Sequence, residues 1–247
     1  MTIRLRFVHA EHETETVQSF YFEPDSTLQF EAGQYIGLTL PHPGPDERGI
    51  SRSFTIASAP SEPQLRVTTV VGRPSSTFKH ALGNVRPGAI VQASGPYGDF
   101  VRPDLNTSVV MIAGGVGITP FRSMIGDVAF RRLRCRLTLL YSNSTADIPF
   151  RAFFDRLTPD WPELRLAYTV SRPSDAWHGR TGRIDAQFIQ QHVPDPLQAV
   201  YLVCGPSGMV DSVRTTLGLL GIPDDRIKNE AFPGYEAASA SAALVAL

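Results

Sequence analysis

From Ile3 to about Arg102, hydrophobic and polar positions alternate in short β-rich runs, which predicts strands at Ile3–His9, Thr16–Phe22, Tyr35–Leu40, Arg52–Ala57, Leu65–Val71 and Ile90–Ser94. Between them stand Pro41-His42-Pro43-Gly44-Pro45-Asp46, Ala59-Pro60-Ser61-Glu62-Pro63 and Gly95-Pro96-Tyr97-Gly98-Asp99, all rich in turn formers. Six strands at this spacing suggest a small antiparallel barrel. One short helix is expected at Ser76–Leu82, with Ser75 or Ser76 as its N-cap.

After Arg102-Pro103-Asp104 the period changes. Continuous apolar runs at Val109–Ala113, Leu137–Tyr141, Leu164–Val170, Val200–Cys204 and Ile227–Phe232 alternate with helical patterns at Pro120–Arg131, Phe150–Leu157, Asp185–Gln191 and Ser207–Leu220. Strands apolar on both faces, separated by helices, predict a five-stranded parallel sheet covered on both sides. The expected division is therefore residues 1–103, residues 104–235 and a tail at 236–247 composed almost wholly of Ala, Ser, Val and Leu.

A chain of 247 residues with 42% hydrophobic and 19% charged positions is composed like a globular protein able to bury a core. Its net charge of −1 gives no reason to expect nucleic acid or a membrane surface as the main partner. The N-terminus alternates like a strand, without a signal-peptide core, so a cytoplasmic location is the expectation. With only two cysteines, Cys135 and Cys204, there is neither a disulfide framework nor the set of about four thiolates that an iron–sulfur cluster needs.

Three motifs carry chemistry. In the first, the strand Val109–Ala113 stops at Gly114-Gly115-Val116-Gly117-Ile118-Thr119-Pro120. Glycines let phosphates approach the backbone, and Pro120 suits the first turn of a helix whose free N–H groups attract an anion. The spacing is not Gly-x-Gly-x-x-Gly, and a plain glycine-rich turn reads the same way. In the second, Arg52-Ser53-Phe54-Thr55 offers a guanidinium fork, a ring and a hydroxyl to a cofactor with phosphate and a flat ring, although outside–inside alternation also explains it. In the third, Cys204-Gly205-Pro206-Ser207-Gly208-Met209 lies at a parallel-strand carboxyl end, where open sheets bind ligands. Cys204 equally suits a small buried hydrophobe.

In this order the three motifs resemble the ferredoxin–NADP reductase superfamily, over roughly Ile3 to Phe232. Arg52-Ser53-Phe54-Thr55 resembles its flavin motif Arg-x-Tyr-Ser/Thr, the glycine run resembles its Gly-Gly-x-Gly-Ile-x-Pro loop, and Cys204 to Met209 resembles its Cys-Gly-Pro-x-x-Met segment. The resemblance implies an N-terminal Greek-key barrel binding FAD and a C-terminal domain binding NADP(H) or NAD(H). It implies that Arg52 binds the FAD diphosphate, Phe54 packs on the flavin and Thr55 bonds near flavin N5, with Ser53 in the same motif. Phe54 replaces a commoner tyrosine. Thr68, Thr69 and Val70 match positions whose backbone edges the flavin. Ser75 and Ser76 match a second diphosphate contact, although the family usually has a glycine a few residues before that serine and here Arg73-Pro74 intervenes after Gly72.

Gly114, Gly115, Gly117, Thr119 and Pro120 would hold the nicotinamide dinucleotide. Cys204, Gly205, Pro206 and Met209 would lie beside its nicotinamide, with Cys204 and Thr55 shaping the hydride contact. Glu230-Ala231-Phe232 resembles the family's closing Glu-x-aromatic, in which the carboxylate balances charge or protons and the ring covers the flavin. Many relatives end there, whereas this chain continues through Pro233-Gly234-Tyr235. Ser171, Arg172 and Arg183 match 2′-phosphate contacts and favour NADPH, although Ser142-Asn143 lacks an arginine found in some NADPH enzymes and plain surface charge is the other reading.

The expected activity is hydride transfer from NAD(P)H to bound FAD, followed by single-electron transfer to a separate carrier such as ferredoxin or flavodoxin; an NADH-dependent stand-alone reductase of an oxygenase system, with an oxygenase component as acceptor, is one alternative. A reductase of free flavin or ferric complexes is an alternative, and a flavin-binding electron-transfer subunit or redox sensor is a non-enzyme one. No metal site is expected. His9, Glu11, His12 and Glu13 read as a solvated hairpin, and Arg131-Arg132-Leu133-Arg134-Cys135-Arg136 as cations at a helix C-terminus.

Overall fold

The computed structural model describes residues 2–72 and 75–232, so Arg73-Pro74, Pro233-Gly234-Tyr235 and the expected tail at 236–247 lie outside the described residues. The chain divides into two compact units. One joins the first 101 residues to Thr119–Arg131, and the other joins Arg102–Ile118 to the chain from Arg132.

The first unit contains β1 (Thr2–His12), β2 (Val17–Pro24), β3 (Tyr35–Thr39), β4 (Ser51–Thr55), β5 (Leu65–Val70), α1 (Thr77–Gly83) and β6 (Ile90–Tyr97). The strands form an antiparallel sheet in the order β4-β3-β6-β1-β2-β5, and a single bridge, Ile56 to Val67, joins its two edges. Alternation explains the core: Leu5, Phe7, Phe20, Phe22, Ile36, Leu38, Ile56 and Val67 point inward and are buried around Phe78 and Leu82 of α1. Ser76 caps α1 by accepting the Lys79 N–H at 3.2 Å.

Two expectations in this unit need correction. β6 runs through Gly95-Pro96 to Tyr97 instead of turning there, and Tyr97 pairs with Tyr35 after a register shift. Gly95, at φ 122°, supplies the left-handed conformation that this bulge requires. Likewise β1 continues to His12, because His9 stacks on Tyr21 at 4.3 Å and Tyr21 donates to Glu11 at 2.8 Å. Glu13 is no solvated turn residue either: it accepts from Ser19 at 2.5 Å and stands 3.7 Å from Arg66.

The second unit contains β7 (Val109–Gly114), β8 (Leu137–Asn143), α3 (Arg151–Asp155), β9 (Leu164–Val170), β10 (Arg180–Thr181), α4 (Ala186–His192), β11 (Val200–Pro206), α5 (Ser207–Leu219) and β12 (Ile227–Phe232). Its sheet is parallel, in the order β10-β9-β8-β7-β11-β12. The five expected strands are present, and β10 adds two residues at an edge, too few to show as an apolar run. Phe188, Ile189, Val210, Val213 and Leu217 from α4 and α5 pack on Val110, Ile112, Leu140, Tyr201 and Val203. Residues of the opposite face, such as Met111, Leu139 and Leu202, are also fully buried, as parallel strands require. α3 is shorter than its pattern: Arg156 and Leu157 keep right-handed helical backbone, and the chain passes into a tighter 3-10 turn at Thr158–Asp160.

The helix Thr119–Phe130, here α2, follows β7 and a 3-10 turn at Gly115–Ile118, yet it groups with the barrel. Arg122, 4% exposed, donates to the Ala57 carbonyl at 3.1 Å and pairs with Glu62, Ser123 donates to the Ser58 carbonyl at 2.6 Å, and Phe121 meets Phe100. No helix among the described residues is long and apolar enough to cross a membrane.

Removing one partner of a buried charged pair costs about 3 kcal/mol. Arg122→Ala should therefore lower unfolding stability by about that amount in urea titrations. A loss below about 0.5 kcal/mol, typical of a surface change, would contradict the role given to α2.

Candidate functional site

In the barrel, β4 and β5 touch only near the Ile56–Val67 bridge, where the Ala57 N–H donates to the Arg66 carbonyl at 2.8 Å. One residue beyond it on each strand, at Thr55 and Thr68, the ladder stops, and β5 from there to Val70 pairs on its β2 side. The seam therefore opens onto backbone. Thr55 is 6% exposed, and its buried hydroxyl has no hydrogen-bond partner in the protein, a costly state unless a ligand completes it. Thr68 and Thr69 are buried and Val70 is half-buried.

Arg52 projects from β4 toward the loop that precedes it. Its Nη1 donates to the carbonyls of Arg48, Gly49 and Ser51 at 2.7 to 2.9 Å, its Nη2 meets Asp46 at 2.5 Å, and its guanidinium lies 5.5 Å from the Phe78 ring centre. The buried Nε–H remains unpaired. Desolvation works against the Asp46 charge, but the Arg52 hydrogen bond, the Arg48 amide and both guanidinium charges hold its carboxyl below the usual range. Ser53 is exposed, whereas Phe54 is 8% exposed with its ring 5.8 Å from Phe78. Ser75 is exposed and lines a cavity of about 920 Å³ with His42, Pro43, Gly72, Thr77 and Lys79. Next to it, Ser76 holds the first turn of α1.

In the parallel sheet, Ala113 of β7 pairs with Cys204 of β11, so two sequence-distant motifs leave the sheet side by side. Their backbones touch. A Cβ on Gly117 would lie 2.6 Å from the Gly205 Cα and press into the Cys204 carbonyl, and one on Gly205 would meet the Gly114 backbone at 3.2 Å. At Gly114 a Cβ would strike the Met209 sulfur and stand 3.1 Å from the Pro206 ring. Gly115 differs, with φ at 52° and open space beyond it. Thr119 and Pro120, both buried, open α2.

Cys204 also pairs with Glu230 of β12, and Pro206 with Phe232. Burial first, and the Glu230 charge second, push the Cys204 thiol well above its ordinary pKa, so it is a neutral thiol rather than a nucleophile. Ser171-Arg172 leave β9 beside Gly182-Arg183, which leave β10, because Val170 pairs with Thr181. Ser171, Arg172 and Arg183 are exposed on the same rim of the sheet. Among the described residues, no group of three or more His, Cys, Asp or Glu could hold a metal ion.

Sequence reasoning passed over Asp46, Arg122 and the Glu13–Ser19–Thr68 contacts. The first lay in a run read as a turn, and the last joins residues far apart in the chain. Arg122-Ser123 carried a signal, a polar pair between the apolar residues Phe121 and Met124-Ile125.

Comparison with known proteins agrees with both halves. Residues 5–101 match the oxidoreductase FAD-binding domain family and residues 111–215 the oxidoreductase NAD-binding domain family. The chain is 34% identical over 231 residues to ferredoxin–NADP reductase B of Sorangium cellulosum, covering 87% of this chain and 90% of that one. It is 30% identical over 248 residues to an NADPH oxidoreductase of Mycobacterium tuberculosis, covering 97% of this chain but 62% of the relative. In fold it is similar to a ferredoxin NADP+ reductase from Neisseria gonorrhoeae crystallised with FAD and NADP, at a TM-score of 0.77 and 19% identity over 93% of this chain and 98% of that one.

Gly117→Ala should destabilise the fold by about 3 kcal/mol, because backbone must move, whereas Gly115→Ala should cost about 1 kcal/mol for its left-handed φ. Equal losses in urea melts would contradict the interlock. Both cysteines are buried, so a thiol reagent at neutral pH should label neither in the folded protein and both after denaturation. Prompt labelling of Cys204 in the folded state would contradict its burial.

Proposed function

Because the chain belongs to the ferredoxin–NADP reductase family of FAD-dependent NAD(P)H oxidoreductases, we propose that it takes hydride from NADPH in preference to NADH and passes electrons singly to a separate carrier, ferredoxin or flavodoxin first. The observation that carries the reading is the open β4/β5 seam with two buried, unpaired polar groups, the Thr55 hydroxyl and the Arg52 Nε–H. Both suit FAD: a diphosphate oxygen accepts from Nε, and a ring nitrogen bonds the hydroxyl. FAD, once bound, accepts two electrons with the hydride and releases them one at a time.

The protein's part is to bind and orient. Asp46 and three carbonyls hold the Arg52 fork rigid, which lowers the ordering cost of binding a diphosphate. The backbone of Thr68, Thr69 and Val70 edges the flavin, Phe54 supports that site from the barrel core with Ser53 on its exposed side, and Ser75 and Ser76 offer the second diphosphate contact. Gly114, Gly115 and Gly117, with Thr119 and Pro120, form the loop for the NADPH diphosphate: Gly115 faces open space, whereas Gly114 and Gly117 let the loop pack on the end of β11. Cys204, neutral and buried, fills space beside the nicotinamide with Gly205, Pro206 and Met209. Glu230 balances charge and Phe232 covers the flavin. Ser171, Arg172 and Arg183, exposed together on one rim, support a 2′-phosphate, and the NADP- and NADPH-linked names of the two relatives favour the same nucleotide.

A charged hydrogen bond is worth about 1.5–3 kcal/mol, or roughly ten- to a hundredfold in binding. Arg172→Ala and Arg183→Ala should each reduce kcat/KM for NADPH by about that factor while changing it for NADH less than about threefold. Equal losses with both nucleotides would refute the 2′-phosphate assignment. Ferredoxin or flavodoxin should be reduced faster than free flavin; the reverse order would favour a flavin reductase.

A further inference from the structure

A polar row crosses the barrel on β2 and β5, whose side chains have no part in the roles above, and reaches Thr55 of β4. On β2, Phe20 and Phe22 enter the core, so Ser19 and Tyr21 face outward; on β5, Leu65 and Val67 enter it, so Arg66 and Thr68 face outward. Thr55 of β4, between Phe54 and Ile56, faces the same way. The outward residues are nevertheless covered, with Ser19 at 0% and Thr68 at 6% exposure. Ser19 and Thr68 are register partners, and their hydroxyl oxygens lie 2.7 Å apart. The Ser19 hydrogen is committed to Glu13 Oε1 at 2.5 Å, so Thr68 must be the donor to Ser19. Donation therefore runs in one direction, from Thr68 to Ser19 to Glu13. At its inner end stands the open seam, with the unpartnered Thr55 hydroxyl one residue beyond the bridge on β4. At its outer end the Glu13 side chain keeps 15% of its surface exposed.

We propose that Glu13, Ser19 and Thr68 form a relay that carries a proton between the β4/β5 seam and solvent. The proposal rests on the reading that FAD occupies that seam. NADPH delivers a hydride, which is two electrons and a proton; two one-electron acceptors remove the electrons, and one proton per NADPH remains to leave. Thr68 accepts it on a lone pair while giving its own hydroxyl proton to Ser19, Ser19 gives its proton to the Glu13 carboxylate, and Glu13 releases it to water before the hydroxyls turn back. Ser19 and Tyr21 from β2, Arg66 from β5, Arg122 from α2 and Glu11 from β1 all face Glu13. Burial raises its carboxyl above the ordinary value, against the opposing pull of Ser19, Arg66 and Arg122, which brings it nearer to exchanging protons around neutrality.

Infrared difference spectra of the flavin-loaded protein, reduced and then reoxidised with ferricyanide, test this directly. The wild type should show a protonated-carboxyl band that changes between the two states, and Glu13→Gln should lack it. Ser19→Ala should slow ferricyanide reoxidation about tenfold or more and raise its solvent isotope effect, with the slowdown confined to that half-reaction. Thr68→Ser should keep the fast phase and Thr68→Val lose it. If Glu13→Gln retains the band, or if Ser19→Ala reoxidises at the wild-type rate or slows both half-reactions equally, the relay is overturned while the flavin reading stands. Wild-type protein that binds no FAD overturns both.

Discussion

Everything at the carboxyl end of the parallel sheet depends on one steric constraint: the turn after β7 and the end of β11 share space that a single Cβ would fill. Gly114, Gly117 and Gly205 lie against each other and against Pro206 and Met209, so two motifs about ninety residues apart in sequence are set by the same contact. Register does the rest. Ala113 beside Cys204, and Cys204 beside Glu230, bring a neutral thiol and a carboxylate to one edge of the sheet. Glycine backbone over a buried, protonated thiol presents no nucleophile and little bulk. It is suited to receive a ligand whose chemistry lies in its own ring.

The barrel obeys a complementary constraint. Its sheet closes through one bridge and then opens, and the polar groups at the opening are buried by the protein itself. Such groups normally cost free energy, and the fold tolerates them where something else completes them. The loop before β4 spends Asp46 and three carbonyls to fix Arg52, leaving Nε–H free, while α2 ties Arg122 and Ser123 to the loop that follows β4. Rigidity around the opening thus comes from residues outside any motif.

Periodicity made most of the elements legible. Alternation marked all six barrel strands and continuous apolar runs marked five of the parallel strands, because burial on one face or two leaves those patterns. The errors have physical causes. Gly95-Pro96 reads as a turn in isolation, but pairing of Tyr97 with Tyr35 keeps it in the strand; β10 is held by pairing with β9 and carries no pattern of its own. The glycine positions were legible because close backbone approach requires glycine. Asp46 and the Ser19–Thr68 pair were not, since a polar side chain in a turn or on an outward strand face reads as solvated until its neighbours are known.

The central claim, that the seam and the glycine interlock serve a flavin and a nicotinamide nucleotide in one protein, is tested most directly by anaerobic titration of the purified protein with NADPH. The account predicts a bound yellow chromophore, one FAD per chain, that bleaches rapidly with about one equivalent of NADPH. A protein that remains colourless after incubation with FAD, or a yellow one that stays oxidised in excess NADPH and NADH, would contradict it.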